Sequence, residues 1–513
     1  MRWAALMLVG GWGVAAVARA QAPKACDLYF ENTPATRMTS VRESANQYNS
    51  FIGGGVIAHC RGQNNTITAD SAEFYDALNM LYMINHVHYR EPRIAVDADH
   101  MTYYVADGRL VAEGTVYAVV PNGSTMRGPW AEYLRVLPGI RTESRLTALQ
   151  RPHLHLIQQD SARADSARAA AVPGVPFPRA DTTTSDTAGV DADQIVLQGD
   201  SLVYASHHVI TVRTDARTVS DSATFDTERQ FSRLLQQPMI TGTQGAHPFT
   251  LRGKVIDLFS ANHDLQRVLA KEQGDGVSQD LHLVADTIDL RLIDRQLSRA
   301  YAWSATGGKQ RAEASTPVRD MLADSIDVRM PAQIVHQMYA VRRAYGTSVP
   351  DTVKIRSAER DWIKGDTIFA WFDTTQAHPA AGTSEPSVTR LLSSGDARSY
   401  YQMAPKDTSL RRPALNYSRG RTITIDFADR AVHTVAVADR AAGVYLEPAA
   451  DTVASDSLRL VKRAAADSTR AAKRRAKRGF RGGGSKGGGS KEGGSKEGGS
   501  NGAPRDSTQA AAP

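Results

Sequence analysis

Six histidines fall in three close pairs, His86 and His88, His153 and His155, and His207 and His208. Imidazole is a common zinc ligand, and His-x-His on a strand projects both rings to one face. A zinc centre also needs further thiolate, imidazole or carboxylate donors at ligand spacing, and none accompanies these pairs. The expectation is therefore no metal and no cofactor. Gly53-Gly54-Gly55 would suit a phosphate loop, but neither a following helix nor a Lys-Ser/Thr is present, so it reads as a strand bulge or turn. Asp97 and Asp99 form the kind of carboxylate pair that glycoside hydrolysis employs. At strand corners, such residues serve the turn instead. No serine elbow and no Cys/His pair stands out, and the expectation is a protein that is not an enzyme.

What these residues sit on is more informative. The stretch from Asp97 to Gly123, "DADHMTYYVADGRLVAEGTVYAVVPNG", alternates apolar and polar residues almost throughout. That period of two marks half-buried strands. Within it lies a short pattern that recurs along the chain. A small residue comes first, usually with Asp next, then an apolar residue three steps on and often an aromatic or aliphatic one at five. The copies are "ADSAEF" (from Ala69), "ADHMTY" (Ala98), "GPWAEY" (Gly128), "GDSLVY" (Gly199), "SDSATF" (Ser220), "GKVIDL" (Gly253), "ADTIDL" (Ala285), "ADSIDV" (Ala323), "GDTIFA" (Gly365) and "GDARSY" (Gly395). A second landmark, Val56, Val87 and Val116, keeps step with the first copies.

Recurrence at this period means stacked units, since one unit cannot bury its own apolar face. Gly or Ala with Asp suits a corner where Asp bonds its local amides. The two apolar positions then face one side. Glu73, Thr102, Glu132, Thr224, Asp289 and Asp327 lie between and face water. The stack closes either as a solenoid or as two facing sheets, and irregular unit lengths disfavour the solenoid. At one rung per unit, ten units give a body on the order of 50 Å long. The fold expectation is all-β: an open, twisted β-jelly roll of two facing sheets with exposed strand edges at its ends.

The N-terminus begins with Arg2, a short apolar run from Trp3 to Ala18 and Ala18-Arg19-Ala20. This is the pattern of a secretory signal peptide cleaved after Ala20, the alternative being an uncleaved membrane anchor. The two cysteines, Cys26 and Cys60, fit one disulfide in an exported chain, with two unpaired thiols as the alternative. The sequence pI near 9.3 suggests a polyanion partner until the charge is located. From Arg459 to Pro513 fourteen Lys and Arg face four acidic residues, a surplus of ten. The whole chain is +7, so everything before this tail sums to about −3. A nucleic-acid partner is not expected.

"ADSAEFYDALNMLYMINHVHY" and the following "DADHMTYYVADGRLVAEGTVYAVVPNGSTMRGPWAEY" resemble the repeat of the OstA-like, or LptA-like, family of periplasmic lipopolysaccharide-transport proteins. In that repeat, an Ala-Asp strand and a Gly-x-Val strand are followed by Gly leading to a closing Tyr. "LNYSRGRTITIDFADRAVHTVAVADRAAGVYLEP" (Leu415 to Pro448) is similar to the closing segment of long family members. The likeness covers most of residues 50 to 448. The chain departs from short members in its length, an insertion and a basic Gly-rich tail. The resemblance implies a twisted β-jelly roll whose groove carries acyl chains and whose units stack end to end between two membranes.

The expected organisation is a signal peptide (1–20), a first OstA-like repeat region (21–157), a low-complexity insertion (158–194), a second repeat region (195–448) and a disordered basic Gly/Ser-rich tail (449–513). The function so implied is a non-enzymatic periplasmic carrier or bridge for lipopolysaccharide or a related glycolipid. Phe74, Val87, Tyr89, Met101, Tyr103, Val116, Leu202, Ile288 and Ile326 are the candidates to line the lipid groove. They would equally fill a dry core, and sequence leaves that open. Other jelly-roll transport components would join through edge strands. The tail would touch an anionic membrane or cell-wall polymer, or serve only as a solvated appendage. The rivals are a structural or adhesive envelope protein with a filled core and, further off, a β-solenoid polysaccharide hydrolase.

Overall fold

The computed structural model describes residues 26–157, 187–243, 248–262, 264–278, 281–350, 355–373, 387–406, 412–428 and 431–448, with residues 462, 463, 466 and 470. The signal-peptide segment, the insertion up to residue 186 and nearly all of the tail lie outside the described residues. The chain divides into two units at Glu447 and Pro448.

Within the first unit the described residues form thirty strands, all paired antiparallel, with two short 3₁₀ turns. Fourteen of the thirty strands run to ten residues or more, because they serve two sheets. In Met80–Glu91, residues 80–84 pair in one sheet, the register breaks between Ile84 and Val87, and residues 87–91 pair in the other. Similar breaks fall in Gln47–Cys60 at Gly53/Val56, in Arg109–Val119 at Glu113/Val116, and in Leu202–Val212 at Ser206/Val209. They recur in Asp264–Ser278, Gln337–Ser348 and Val388–Met403. The result is two facing sheets joined by continuous chain along one margin, a β-jelly roll. Each repeat adds two strands to each sheet. Ten repeats therefore extend on the order of 100 Å at about 4.8 Å per strand, twice the one-rung expectation.

The bend has a recurrent backbone. Two consecutive residues adopt left-handed φ: Gly54-Gly55, Asn85-His86, His207-His208, Glu272-Gln273 and Arg342-Arg343. Such residues in non-glycine positions carry strain of roughly 1–3 kcal/mol each, so something must hold them. At three of these corners an Asp of the preceding rung does so. Asp70 bonds His86 at 2.8 Å, Asp193 bonds His208 at 2.8 Å, and Asp324 bonds Arg343 at 2.8 Å. Asp99 accepts the Thr115 N–H at 2.8 Å, and Asp286 that of Ala305 at 3.0 Å. The expectation that these aspartates bond their own local amides is corrected, because they brace the corner of the next strand. This also explains the valine landmark. Val56, Val87 and Val116 are the first inward residues after each corner, 3%, 0% and 2% exposed, and Val209, Ala344 and Ala397 continue the series.

Gly114 is one place where only glycine fits. Its φ is +93°, and an added Cβ would lie 2.3 Å from Asp99 Oδ2, the bracing carboxylate itself. Gly55 has φ +95° but open space around it. Gly114→Ala is expected to destabilise its region by about 2–4 kcal/mol, the backbone strain plus displacement of Asp99. Gly55→Ala should cost only about 1 kcal/mol. Equal effects in thermal melting and amide exchange would contradict the bracing role.

Two copies of the repeat do not hold their expected place. "GDSLVY" is a hairpin turn between Gln194–Gln198 and Leu202–Val212, and the true corner of that rung is Ala192-Asp193. The frame is therefore shifted by one: Val203 and Ala205 point inward, while Leu202 is half-buried and Tyr204 is exposed. In "GDARSY", Gly395-Asp396 is the left-handed corner itself. A strand also begins at Thr187, inside the segment expected to be insertion.

Candidate functional site

The interior between the sheets is one contiguous apolar cluster running from Cys26 and Ile52 to Ile423 and Ile425. Of the nine predicted groove residues, seven lie in it: Val87, Tyr89, Met101, Tyr103, Val116, Ile288 and Ile326, each 2% exposed or less. Phe74 is half-buried at its border, edge-on to Phe30 at 6.1 Å between ring centroids. Leu202 is the correction, since it lies on the outer face, paired with Asp226.

Tyr89 comes from one sheet and Tyr103 and Tyr133 from the other, yet both ring pairs are 6.3 Å apart. At this level the sheets' side chains meet, and the space is filled. Further along, the walls are built largely of Ala, with Ala270, Ala285, Ala302, Ala312, Ala323 and Ala340 all 0% exposed, interleaved with Ile256, Ile288, Ile326 and Ile368. At the C-terminal end the apolar interior opens. Leu391, Phe427, Val432, Val435 and Val437 are only partly buried, and among the described residues the last strands, Ala431–Ala438 and Ala442–Leu446, pair with Ala414–Ala428 alone. At the other end, among the described residues, Leu28–Phe30 and Arg37–Ser44 pair only with Gln47–Cys60. Cys26 and Cys60 are joined in a disulfide with Cα atoms 5.1 Å apart, tying the first short strand to the stack.

Opposite the corners, the sheets end in hairpins, and side chains rather than backbone close the margin. Glu91, on one sheet, accepts from Arg135 Nε at 2.7 Å, from Tyr89 of its own strand at 2.9 Å and from Tyr133; Tyr133 and Arg135 lie at and just past the end of Thr125–Leu134 in the other sheet. Arg135 also donates to Gln63 at 2.7 Å and to the Tyr103 hydroxyl at 3.2 Å. The Glu91 side chain is 6% exposed and that of Arg135 14%. Burial opposes the Arg135 charge, but Tyr89 and Glu91 outweigh it and hold the guanidinium above its usual pKa. Burial also pushes Tyr133 up, with Glu91 adding to it, so the phenol stays a donor. A second clasp follows: Asp215 accepts the Leu265 N–H at 2.9 Å from the opposite sheet and Arg213 Nε at 2.9 Å, while Arg213 reaches Ser260 at 3.3 Å. Sequence reasoning missed both clasps. Glu91 and Arg135 are 44 residues apart and Asp215 and Leu265 are 50 apart, and none of the four belongs to the repeat motif.

The residues weighed for chemistry are dispersed. His88 bonds Asp97 at 2.7 Å, His153 bonds Asp191 at 2.8 Å, and His86 sits in the corner, bound to Asp70. Hydrogen bonding to Asp70 raises the His86 pKa. His86 and His88 hold different carboxylates, which corrects the expectation of two rings on one strand face. Among the described residues no three His, Cys, Asp or Glu side chains are grouped to hold a metal. Gly53-Gly54-Gly55 is a strand bulge. Of the residues expected to face water, Asp289 and Asp327 do lie on the outer face but are 4% and 7% exposed, because arginines cover them.

Strand pairing and interior thus define a two-sheet, stacked-repeat β-jelly-roll protein. No family model matches this chain, nor does any curated protein. Among solved structures it is similar to LptH from Pseudomonas aeruginosa, described as the LptA-homologous periplasmic component of the lipopolysaccharide transport device. Identity is 14% and the TM-score 0.22, over 25% of this chain and 93% of that one. No helix among the described residues is long and apolar enough to cross a membrane.

Proposed function

We propose that this chain is a non-enzymatic lipid carrier of the cell envelope, a periplasmic bridge for lipopolysaccharide or a related glycolipid. Acyl chains would lie between the sheets, and neighbouring jelly rolls would add strands to the unpaired ends. One observation carries this reading: among the described residues the sheets share continuous chain along one margin only, while the other is held by side-chain clasps. Parting that margin exposes a continuous apolar wall without breaking a backbone ladder. The open C-terminal end, with Leu391, Val435 and Val437 half-buried, offers an entry. Among the described residues the end strands each have one edge without a strand partner, of the kind that accepts another strand. Export by the N-terminal segment, and contact of the basic tail with an anionic surface, belong to the same proposal. Asp97 and Asp99 have structural partners, which supports a carrier over a hydrolase.

The second reading, a scaffold with a permanently filled core, is favoured by the meeting of Tyr89 with Tyr103 and Tyr133. Native mass spectrometry of the detergent-free protein separates the two. Co-purifying glycolipid is expected, and Val435→Asp should lose it at unchanged melting temperature, because the side chain is half-exposed. A lipid-free parent that also takes up no lipopolysaccharide from micelles would leave the scaffold reading.

A further inference from the structure

The outer face of the sheet that holds residues 287–293 carries a pattern that the lipid reading does not use. Three buried aspartates recur there, one per repeat. Asp257 takes both arms of Arg233 at 2.7 and 3.0 Å and Lys271 at 2.9 Å. Asp289 takes both arms of Arg267 at 2.8 and 3.0 Å and touches Arg291 at 3.5 Å. Asp327 takes both arms of Arg299 at 2.7 and 2.9 Å, with Arg329 at 3.5 Å. Burial works against the Asp257 charge, but Arg233 and Lys271 hold its carboxyl below the usual range. Asp289 and Asp327 thus each fix one cation and leave the second at 3.5 Å, while Asp257 holds both of its cations closely. Arg267, Arg291, Arg299 and Arg329 are register neighbours on successive strands, a ladder of arginines on backbones about 4.8 Å apart. Like charges set directly opposite one another repel, so a ladder of four is unfavourable unless anions complete it.

Aromatic rings border the ladder. Phe231 and Phe259 are 5.2 Å apart, Tyr301 and Trp303 stack at 4.9 Å, and Tyr339 meets Phe369 at 5.5 Å. Beside Arg329 lies a cavity of about 370 Å³ lined by the Tyr339 and Phe369 rings and by Gln337, Thr367 and Ser394. Ring faces with amide and hydroxyl groups around them suit a polyhydroxylated ring, whose faces are apolar and whose rim donates and accepts hydrogen bonds. Guanidinium forks match carboxylate or phosphate bidentately. Three aspartates neutralise half of the six cations, so the surface fits a chain with anions spaced apart better than a continuous phosphodiester.

We infer that this outer face binds an anionic polysaccharide, a sugar ring seated against Tyr339 and Phe369 and its carboxylate or phosphate groups on the Arg267–Arg329 ladder. The site is on the opposite side of the sheet from the acyl interior, so it stands or falls independently of lipid carriage.

The test is calorimetric titration of the full chain with oligogalacturonate, with phosphomannan and with neutral dextran. The parent, Arg291→Gln/Arg329→Gln and Phe369→Ala are compared. The two arginine side chains are 55% and 61% exposed, and their aspartates keep the bidentate partners, so folding is retained. Binding of either anionic glycan, none of dextran, and about tenfold weaker binding by the double variant are expected. Which of the two probes binds identifies carboxylate or phosphate as the anion. The basic tail is common to all the proteins, so equal affinity of parent and variants overturns the site. So does absence of binding. Poly-glutamate or a single-stranded oligonucleotide binding as tightly as the glycans, with the same losses, overturns the glycan assignment.

Discussion

Arg135→Met is expected to destabilise the N-terminal part of the jelly roll by about 3–5 kcal/mol. The substitution keeps most of the side chain's apolar bulk but leaves Glu91 a buried carboxylate with only phenolic donors, Tyr89 and Tyr133, around it. Removing one partner of a buried pair costs far more than the pair itself contributes, because the remaining ion is uncompensated. The double variant Glu91→Gln/Arg135→Met should therefore recover much of the loss, giving a coupling energy of about 1–3 kcal/mol in a double-mutant cycle. In a stack where each repeat touches only its neighbours, the damage is regional. Amide exchange should quicken in Met80–Glu91 and Thr125–Leu134 and stay unchanged in Leu281–Ile293. Additive single effects, or protection unaltered near Glu91, would show that the clasp does not hold the margin. If lipid enters by that margin, Arg135→Met also loads lipid faster than the parent does.

Val87→Asp is the other large effect, expected to cost several kcal/mol. Val87 is 0% exposed, opposite Ala98 and part of the apolar cluster between the sheets, so a carboxylate there would enter an apolar interior. Its corner, Asn85-His86, is already strained, so little slack remains for the chain to rotate the new side chain outward. Val116→Asp should behave alike, since Val116 occupies the equivalent place after Gly114-Thr115. Val212→Asp is the control, because Val212 is 49% exposed and a surface change there should stay within about 0.5 kcal/mol. The comparison is made by chemical denaturation, with lipid content read in the same samples. Normal melting and lipid content in both core variants would remove the inward placement of these valines from any account of function.

The repeat was legible because alternation and corner chemistry are local. Small residues with Asp, the apolar third and fifth steps and the valine landmark each follow from the period of a strand and the needs of a bend. Inward placement accordingly holds for Met101, Tyr103, Ile288 and Ile326. It fails at Leu202, where the same letters Gly-Asp make a hairpin turn instead of a corner. A turn and a corner want the same residues, and only the pairing of Leu202 with Asp226 tells which one is built.

By itself, then, the sequence determined the all-β class, the stacking and, outside the frame-shifted copies at Gly199 and Gly395, the side of the repeat strands that turns inward, because all three depend on spacing along one chain. Tertiary structure decided what lies across from what. It brought Asp70 to the corner of the next strand, Arg135 to Glu91 over a separation of 44 residues, and four arginines into one ladder. It also set the tyrosines of the two walls against each other. These are contacts between strands, governed by register and by the distance between sheets, and no spacing within a single strand encodes them.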